Sequence, residues 1–173
     1  MADVKKVKLK SQIVLGIREI GSYTIIPELI KKIYPYTKSR SIDIGGPAIF
    51  ICHETAEQAM TADKQGKADV EVCVPIKERI KIDAEGMELG IACYEIPGGT
   101  FAKTTHKGPY EQCKTTYNEI FNWIYENRYR ITGPTREYYL NNPKEVKPEE
   151  IKTEIYAPIQ KIKETKKLTK EVK

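Results

Sequence analysis

The sequence lacks a long hydrophobic run. No apolar stretch approaches the ~20 residues that a helix needs to cross a bilayer, so no membrane segment is predicted. Residues 1–10 contain four lysines and no apolar core, and therefore do not predict a secretory signal. We expect a folded protein without a membrane anchor that acts in the cytoplasm.

Close cysteine pairs are also lacking. The chain has four cysteines about twenty residues apart, at Cys52, Cys73, Cys93 and Cys113. Structural zinc sites typically use ligand pairs separated by a few residues, so this spacing argues against a metal site. In a reducing compartment we expect these side chains to be small buried hydrophobic groups rather than disulfides. Neither a metal nor a cofactor is predicted.

The sequence has no arrangement typical of a common catalytic site. A Ser-His-Asp or Cys-His pattern is not apparent, and no glycine-rich loop is present that could hold a phosphate group. The chain has two histidines. His53 is predicted at a surface turn, and His106 at the end of a strand, where we predict a structural role.

Positive charge is scarce outside the two ends of the chain. The net charge is +5, to which residues 1–10 contribute +3 and residues 161–173 contribute +4, so residues 11–160 carry −2. A body with this balance has no net positive field to attract phosphates, and direct DNA binding is not expected. We interpret 1–10 as a basic arm. We interpret 161–173 as a Lys-rich, solvated tail rather than a nucleic-acid or membrane anchor.

Hydrophobic patterning between the two ends predicts a mixed α+β chain. Strands are predicted at 12–19, 46–52, 68–76, 87–96, 100–106, 131–140 and 151–159, and helices at about 21–35 and 109–127. Pro35 is expected to end the first helix or to lie close to its end, because proline cannot continue the hydrogen bonding of a helix interior. The polar stretch 54–67 is predicted to be a loop, and residues 97–99 a tight turn.

The order of the motifs repeats along the chain. The matching motifs are Gly21-Ser22-Tyr23 with Gly108-Pro109-Tyr110 and Gly46-Pro47 with Gly133-Pro134, both at an offset of 87, and Val74-Pro75-Ile76 with Ala157-Pro158-Ile159 at 83. These matches predict two half-modules, at about 11–80 and 86–160, each ordered strand–helix–strand–strand. One such module covers only one face of its sheet. We therefore predict an α+β fold with pseudo-twofold symmetry and a central ligand groove between the modules.

The strand predicted at 131–140 carries the candidate binding residue. Strand side chains alternate between faces, which places Thr135, Glu137 and Tyr139 on one face and Arg136, Tyr138 and Leu140 on the other. On an exposed face Glu137 would be an ordinary solvated carboxylate, and alternation alone favours that interpretation. In a closed groove the same carboxylate would prefer a cationic or hydrogen-bond-donating guest. The 87-residue offset aligns it with Phe50, a pairing that suits a flat, apolar, positively charged guest.

Four segments in this order resemble a known family. They are residues 106–110 (His-Lys-Gly-Pro-Tyr), 117–124, 133–139 (Gly-Pro-Thr-Arg-Glu-Tyr-Tyr) and 151–159 ending in Ala-Pro-Ile. The sequence resembles the GyrI-like small-molecule-binding domain over about residues 10–160. This is also the effector-binding domain of multidrug-responsive transcription activators. The resemblance implies tandem strand–helix–strand–strand modules around a central groove. It also implies a buried glutamate that contacts cationic, aromatic drugs, at the position of Glu137.

The resemblance also indicates which residues should surround this glutamate. The predicted ligand-binding residues are Glu137, Tyr139, Tyr110 and Cys113 from the second half-module, and Phe50 and Ile26 from the first. Cys113 and Ile26 are not aromatic, so the guest need not be that of the family's best-known binders.

Three functions are compatible with the resemblance. The first is a stand-alone protein that senses or sequesters amphipathic, cationic or aromatic small molecules. The second is a hydrolase that opens cyclopropane rings of DNA-alkylating natural products, with Glu137 and Tyr139 as catalytic residues. The third is binding to a protein partner, as in a gyrase inhibitor. Regulators of this family carry a helix-turn-helix domain before the binding domain, whereas this sequence begins at the first strand, so we expect a stand-alone binder.

Overall fold

An antiparallel sheet of nine strands is the framework of the protein, which a computed structural model describes over residues 2–163. The strands are β1 (Lys5–Leu9), β2 (Gln12–Gly21), β3 (Ile49–Cys52), β4 (Ala68–Pro75), β5 (Ala92–Ile96), β6 (Gly99–Lys107), β7 (Tyr129–Ile131), β8 (Thr135–Tyr139) and β9 (Lys152–Lys161). Their order is β1-β6-β9-β8-β3-β4-β2-β5, and β7 pairs with one end of β9. The seven predicted strands are confirmed, with shifted ends, whereas β1 and β7 were not predicted.

Four helices accompany the sheet. They are α1 (Ile26–Ser39), α2 (Ala56–Lys64), α3 (Ala84–Glu88) and α4 (Cys113–Glu126), and short 3₁₀ turns span Tyr23–Ile25, Tyr110–Gln112 and Pro148–Glu150. Within residues 2–163, none of the helices is both long enough and apolar enough to cross a membrane. The first helix does not end at Pro35, because α1 continues to Ser39. Tyr36 and Thr37 are buried beyond the proline, and this packing keeps the last turn helical.

The predicted loop at 54–67 is wrong, because it contains α2. Thr55 caps this helix: its hydroxyl accepts a hydrogen bond from the Gln58 backbone N–H, and the Gln58 side chain accepts one from the Thr55 backbone N–H. This reciprocal pair is a capping box, which stabilises the first turn. The helix has no buried residue, so it lacks the apolar periodicity from which a helix is usually predicted.

Other differences from the prediction lie at the ends of elements. Helix α3 occupies the start of the strand predicted at 87–96, and Asp83 caps it by accepting a hydrogen bond from Gly86 N–H. The segment predicted as a basic arm contains β1, which pairs with β6. At the other end of the chain, β9 runs to Lys161, and the rest of the predicted tail beyond residue 163 lies outside the described residues.

Several elements recur at a constant spacing. Strand β5 begins and ends 87 residues after β1, α4 begins and ends 87 residues after α1, and the first two 3₁₀ turns have the same spacing. In the sheet, the neighbours β6-β9-β8 adjoin the neighbours β3-β4-β2 at the β8–β3 pair. At this pair Phe50 lies opposite Glu137, and these two residues are themselves 87 apart. Two related half-modules would give this constant spacing between equivalent elements. The duplication itself stays a prediction.

Three apolar clusters stabilise the fold. The first lies between α1 and the sheet, and includes Leu15, Ile17, Leu29, Ile33, Phe50 and Val72. The third lies between α4 and the sheet, and includes Ala102, Ile120, Ile124 and Ile155. Phe50 and Ile155 are the cross-strand neighbours of Glu137 on its two sides, so both helices cover the same face of the sheet. The second cluster, with Ile49, Ile51, Phe101 and Tyr138, covers the opposite face.

Candidate ligand-binding groove

The candidate site lies on the helix-covered face of the sheet, where β8 and β3 meet between α1 and α4. Glu137 of β8 lies opposite Phe50 of β3. The neighbouring Arg136 is on the other face, where its guanidinium carbon lies 4.9 Å from the centre of the Phe101 ring. The predicted alternation along this strand is therefore confirmed. It places the glutamate and the arginine on opposite sides of the sheet.

Two tyrosine hydroxyls hold the Glu137 carboxylate. Tyr117 of α4 donates a hydrogen bond of 2.7 Å to Oε1, and Tyr139 donates one of 3.1 Å to Oε2. Within residues 2–163, no ion pair joins this carboxylate to a basic side chain. The side chain is partly buried, and no lysine or arginine in the described part of the chain is bound to it.

The carboxylate is desolvated but still reachable. Burial raises the pKa of Glu137 above its usual value of 4.5, and the hydroxyls of Tyr117 and Tyr139, together with His106, partly oppose this rise. Burial and the nearby Glu137 charge raise the pKa of both tyrosines well above 10.0, so their hydroxyls stay protonated and donate. Part of the Glu137 surface remains exposed. Removing solvent from an anion is costly, so a positive group placed here would be stabilised.

Aromatic rings border the carboxylate on both sides. Tyr110 packs edge-on against Tyr139, with ring centres 5.5 Å apart, and is 38% exposed at the rim. On the other side Tyr23 packs edge-on against Phe50, with ring centres 5.3 Å apart. Cys113 begins α4, four residues before Tyr117, whose hydroxyl contacts Glu137. Burial and the charge of Glu137 raise the pKa of the Cys113 thiol to about 12. The arrangement is an anion surrounded by aromatic and weakly polar groups.

Most of the predicted ligand-binding residues lie close together around Glu137. Tyr139, Tyr110, Cys113 and Phe50 lie beside Glu137 or beside one another. Ile26 is the first residue of α1 and packs against the first apolar cluster, in the position that Cys113 holds in α4. That any of the six binds a ligand stays a prediction.

Three residues that lie beside Glu137 or Phe50, or next along β3, were not among the predicted site residues. Tyr117 follows Cys113 by four residues and so shares its side of α4, but it entered the sequence analysis only as part of the segment 117–124. Tyr23 and Cys52 stand 87 residues before Tyr110 and Tyr139. The repeat offset, applied to every predicted site residue, would have identified both.

The rings of both histidines contact other atoms of the protein. His106 Nε2 lies 3.1 Å from the Pro109 carbonyl oxygen, which can only accept, so Nε2–H donates. Nδ1 is 2.8 Å from the Thr116 hydroxyl, and the ring thus ties β6 to the start of α4. His53 follows β3 and lies 2.6 Å from Glu71 on the opposite face of the sheet. Within residues 2–163, no cluster of metal-ligating side chains forms, and all four cysteines are free.

Two depressions elsewhere on the surface do not include Glu137. One, of about 830 Å³, lies around the end of α1 beside Tyr34 and Ile42. The other, of about 530 Å³, lies beside His106 and Glu119. At Glu137 the Tyr117 and Tyr139 hydroxyls each contact one carboxylate oxygen. The part of the side chain that stays exposed is where a ligand would reach it.

Comparisons with solved structures identify the same fold in several proteins. The crystal structure of the EcmrR C-terminal domain superimposes with a TM-score of 0.76 at 23% identity, covering 94% of this chain and 99% of that one. In a cryo-EM complex of EcmrR with DNA, the match has a TM-score of 0.74 at 22% identity and covers 93% of this chain. This chain spans 58% of the length of EcmrR in that complex. At these identities the likeness concerns the fold.

Two further neighbours are more distant. A hydrolase from Listeria innocua matches with a TM-score of 0.63 at 13% identity, covering 91% of both chains. SAV2435 bound to tetraphenylphosphonium matches with a TM-score of 0.57 at 13% identity, covering 91% of this chain and 94% of that one. A search of curated proteins gives no significant match.

The family assignment comes from the sequence itself. The profile of the GyrI-like small molecule binding domain matches residues 2–160, which is nearly the whole chain. The solved neighbours share the mixed α/β architecture described above. The chain belongs to the GyrI-like small-molecule-binding domain family.

Proposed function

We propose that the protein binds aromatic, positively charged small molecules in the groove centred on Glu137, and so senses or sequesters them. The observation that carries this proposal is a desolvated carboxylate that forms no ion pair with a basic side chain of residues 2–163, held by two tyrosine hydroxyls and flanked by Phe50. The family description, a small-molecule-binding domain, supports it. So does SAV2435, a neighbour of the same fold that is bound to tetraphenylphosphonium, a cation with four phenyl groups.

The proposed ligand replaces the favourable interactions with water that the Glu137 carboxylate loses on burial. A cation next to Glu137 supplies the attraction that water would otherwise provide. Aromatic groups of the ligand can pack against the rings of Tyr110 and Phe50, and these rings also attract cations through their faces. Charge and ring contacts favour the same class of molecule.

Calorimetry with matched ligands tests the proposal. A triarylalkylphosphonium cation and the neutral triarylphosphine oxide have similar shapes and differ in charge. We expect the cation to bind at least ten times more tightly, because only the cation neutralises Glu137. If no cationic aromatic compound binds, or if the neutral compound binds equally well, the proposal is wrong.

Replacing Phe50 should separate ring stacking from charge. We expect Phe50→Ala to weaken a flat, rigid polycyclic cation by about tenfold and a flexible aliphatic cation by less than threefold, since an aromatic pair contributes about 0.5–1.5 kcal/mol. Phe50 is also part of the core, so the alanine variant is expected to be less stable. Phe50→Leu keeps most of the volume and serves as the control. A uniform loss for both ligands would show that Phe50 is only a core residue.

Ring-opening hydrolysis is a second candidate, favoured by a carboxylate of raised pKa within hydrogen-bond distance of two phenol groups. A raised pKa makes this carboxylate a stronger base than an ordinary glutamate. It would take a proton from water as the water oxygen bonds to a cyclopropane carbon. The ring C–C bond breaks, and its electron pair moves to a conjugated carbonyl oxygen, which takes up a proton. A solved neighbour is a hydrolase. Incubation with a cyclopropane-bearing alkylator tests this function, and no turnover above buffer would exclude it.

A further inference from the structure

A second carboxylate lies at the far end of the same groove. Glu54 follows the end of β3 by two residues, and its side chain reaches the helix-covered face, where it contacts Tyr23. Tyr23, whose ring packs against Phe50, donates a hydrogen bond of 2.8 Å to Glu54 Oε2. The Asp69 backbone N–H donates one of 2.6 Å to Oε1. As at Glu137, a tyrosine of the groove wall holds the acid.

The equivalent residue in the other half of the fold helps to separate the backbone contact of Glu54 from its charge. The residue 87 positions later is Asn141, whose side-chain oxygen accepts a 3.0 Å hydrogen bond from Lys152 N–H at the start of β9. Glu54 makes the same contact at the start of β4, through Asp69 N–H. A neutral amide therefore suffices for this backbone contact. The second oxygen of Glu54 accepts the Tyr23 hydrogen bond, and the backbone contact does not require the negative charge.

The thiol of Cys52 lies between the two acids. Its sulfur is 3.8 Å from Glu54 Oε2 and 3.6 Å from the Tyr23 hydroxyl. Burial raises the pKa of this thiol, and the charges of Glu54 and Glu137 both raise it further. The charges of both Glu54 and Glu137 therefore act on the Cys52 thiol.

The spacing of the two acids follows from strand geometry. Glu137 lies opposite Phe50, and Glu54 is four residues farther along the same chain. An extended chain rises about 3.3 Å per residue, so Cys52 lies about 7 Å along β3 from the level of Glu137, and the Glu54 carboxylate lies beside the Cys52 thiol. Within residues 2–163, no ion pair joins Glu54 to a basic side chain. Each acid can therefore accept a separate positive group.

We propose that the groove binds elongated dications, with an aromatic cation at Glu137, an apolar linker over Phe50 and Cys52, and a second cation at Glu54. This inference rests on the proposed function, since it extends the same groove. A second cation joined by a linker of suitable length binds as an intramolecular step, which increases affinity without any change to the first contact. A linker too short to reach Glu54 gives no such increase.

A linker series tests this proposal by calorimetry. The probes are an N-alkylquinolinium monocation and bis(quinolinium)alkanes with linkers of three to ten methylene groups. With the unmodified chain we expect the best dication to bind at least ten times more tightly than the monocation, at an intermediate linker that brings the second cation to the Glu54 carboxylate beside Cys52. Glu54→Gln should remove this gain and change monocation affinity by less than twofold. Glutamine keeps an oxygen for Asp69 N–H, as Asn141 does for Lys152, so the variant should fold.

Controls distinguish this inference from the proposed function. Glu28→Gln removes an acid from the exposed surface of α1, where the side chain is 66% exposed, and should leave both affinities unchanged. If the monocation binds through Glu137 but the dication binds no tighter, the second site is wrong and the proposed function stands. An equal effect of Glu54→Gln on both ligands would also contradict it. If neither probe binds the unmodified chain, both proposals fail.

Discussion

Glu137→Gln is expected to weaken binding of a cationic aromatic ligand by more than a factor of ten while leaving the fold intact. Glutamine has nearly the same shape and can still accept a hydrogen bond from Tyr117 or Tyr139, but it carries no charge. Removing one partner of a desolvated charge pair costs about 2–5 kcal/mol, and tenfold in affinity corresponds to about 1.4 kcal/mol. Titration calorimetry at constant salt measures the difference, and equal affinity in both versions would refute the charge pairing.

The pH dependence of binding provides the control for this substitution. Burial raises the pKa of Glu137 above 4.5, and only the ionised form pairs with a cation. Affinity for a permanently charged ligand should therefore rise as pH rises through the pKa of the folded chain. The Glu137→Gln profile should be flat over the same range. A flat profile with the unmodified chain would show that the carboxylate is not the group that binds the cation.

The same pKa shift predicts the direction in which stability changes with pH. The folded chain holds the Glu137 proton more tightly than the unfolded chain, because the pKa is raised on folding. The resulting stabilisation is complete below the unfolded pKa and is lost as pH rises through the folded pKa. At neutral pH the glutamine variant should therefore be at least as resistant to unfolding as the unmodified chain. A large loss of stability would assign Glu137 a structural role.

Secondary structure was predictable where burial leaves a periodic pattern. The strand predicted at 68–76 became β4, which is almost wholly buried, and the helix predicted at 109–127 contains α4. Helix α2 has no buried residue, so its only signal was the capping box at Thr55. Strand β1 alternates lysines with Val7 and Leu9, and its charge suggested an arm rather than a strand.

The site was predictable only in part, because local patterns define faces and not neighbours. Alternation along β8 separates Glu137 from Arg136, and this is a local property of any strand. That Tyr117 reaches the Glu137 carboxylate depends on how α4 lies over the sheet, which no local pattern specifies. Glu54 was missed because it follows the end of β3, where its stretch was predicted to be a loop. Its contact with Tyr23 joins residues 31 positions apart and is visible only in the folded chain.

Gly98 lies where two connections of the sheet cross. It belongs to the link between β5 and β6, and a Cβ added to it would lie 2.4 Å from Leu9 O, 2.6 Å from Lys10 C and 2.6 Å from Ser11 N. These are backbone atoms at the end of β1 and in the link to β2. Strand β1 pairs with β6 and β5 pairs with β2, so neither link can move without disturbing two strand pairs. Only glycine fits at this crossing.

Gly98→Ala should therefore destabilise the protein by about 3 kcal/mol, the upper part of the range for an extra carbon forced into well-packed structure. The free energy of unfolding, from chemical denaturation, measures the effect. Gly45→Ala is the matched control, because the nearest atoms to its added Cβ are 3.7 Å away, and we expect a change of less than about 1 kcal/mol. If the two variants are equally stable, the links do not cross as closely as described. Because Arg136 bonds to the Pro97 carbonyl from the face opposite the groove, folded Gly98→Ala protein should bind cationic ligands with unchanged affinity.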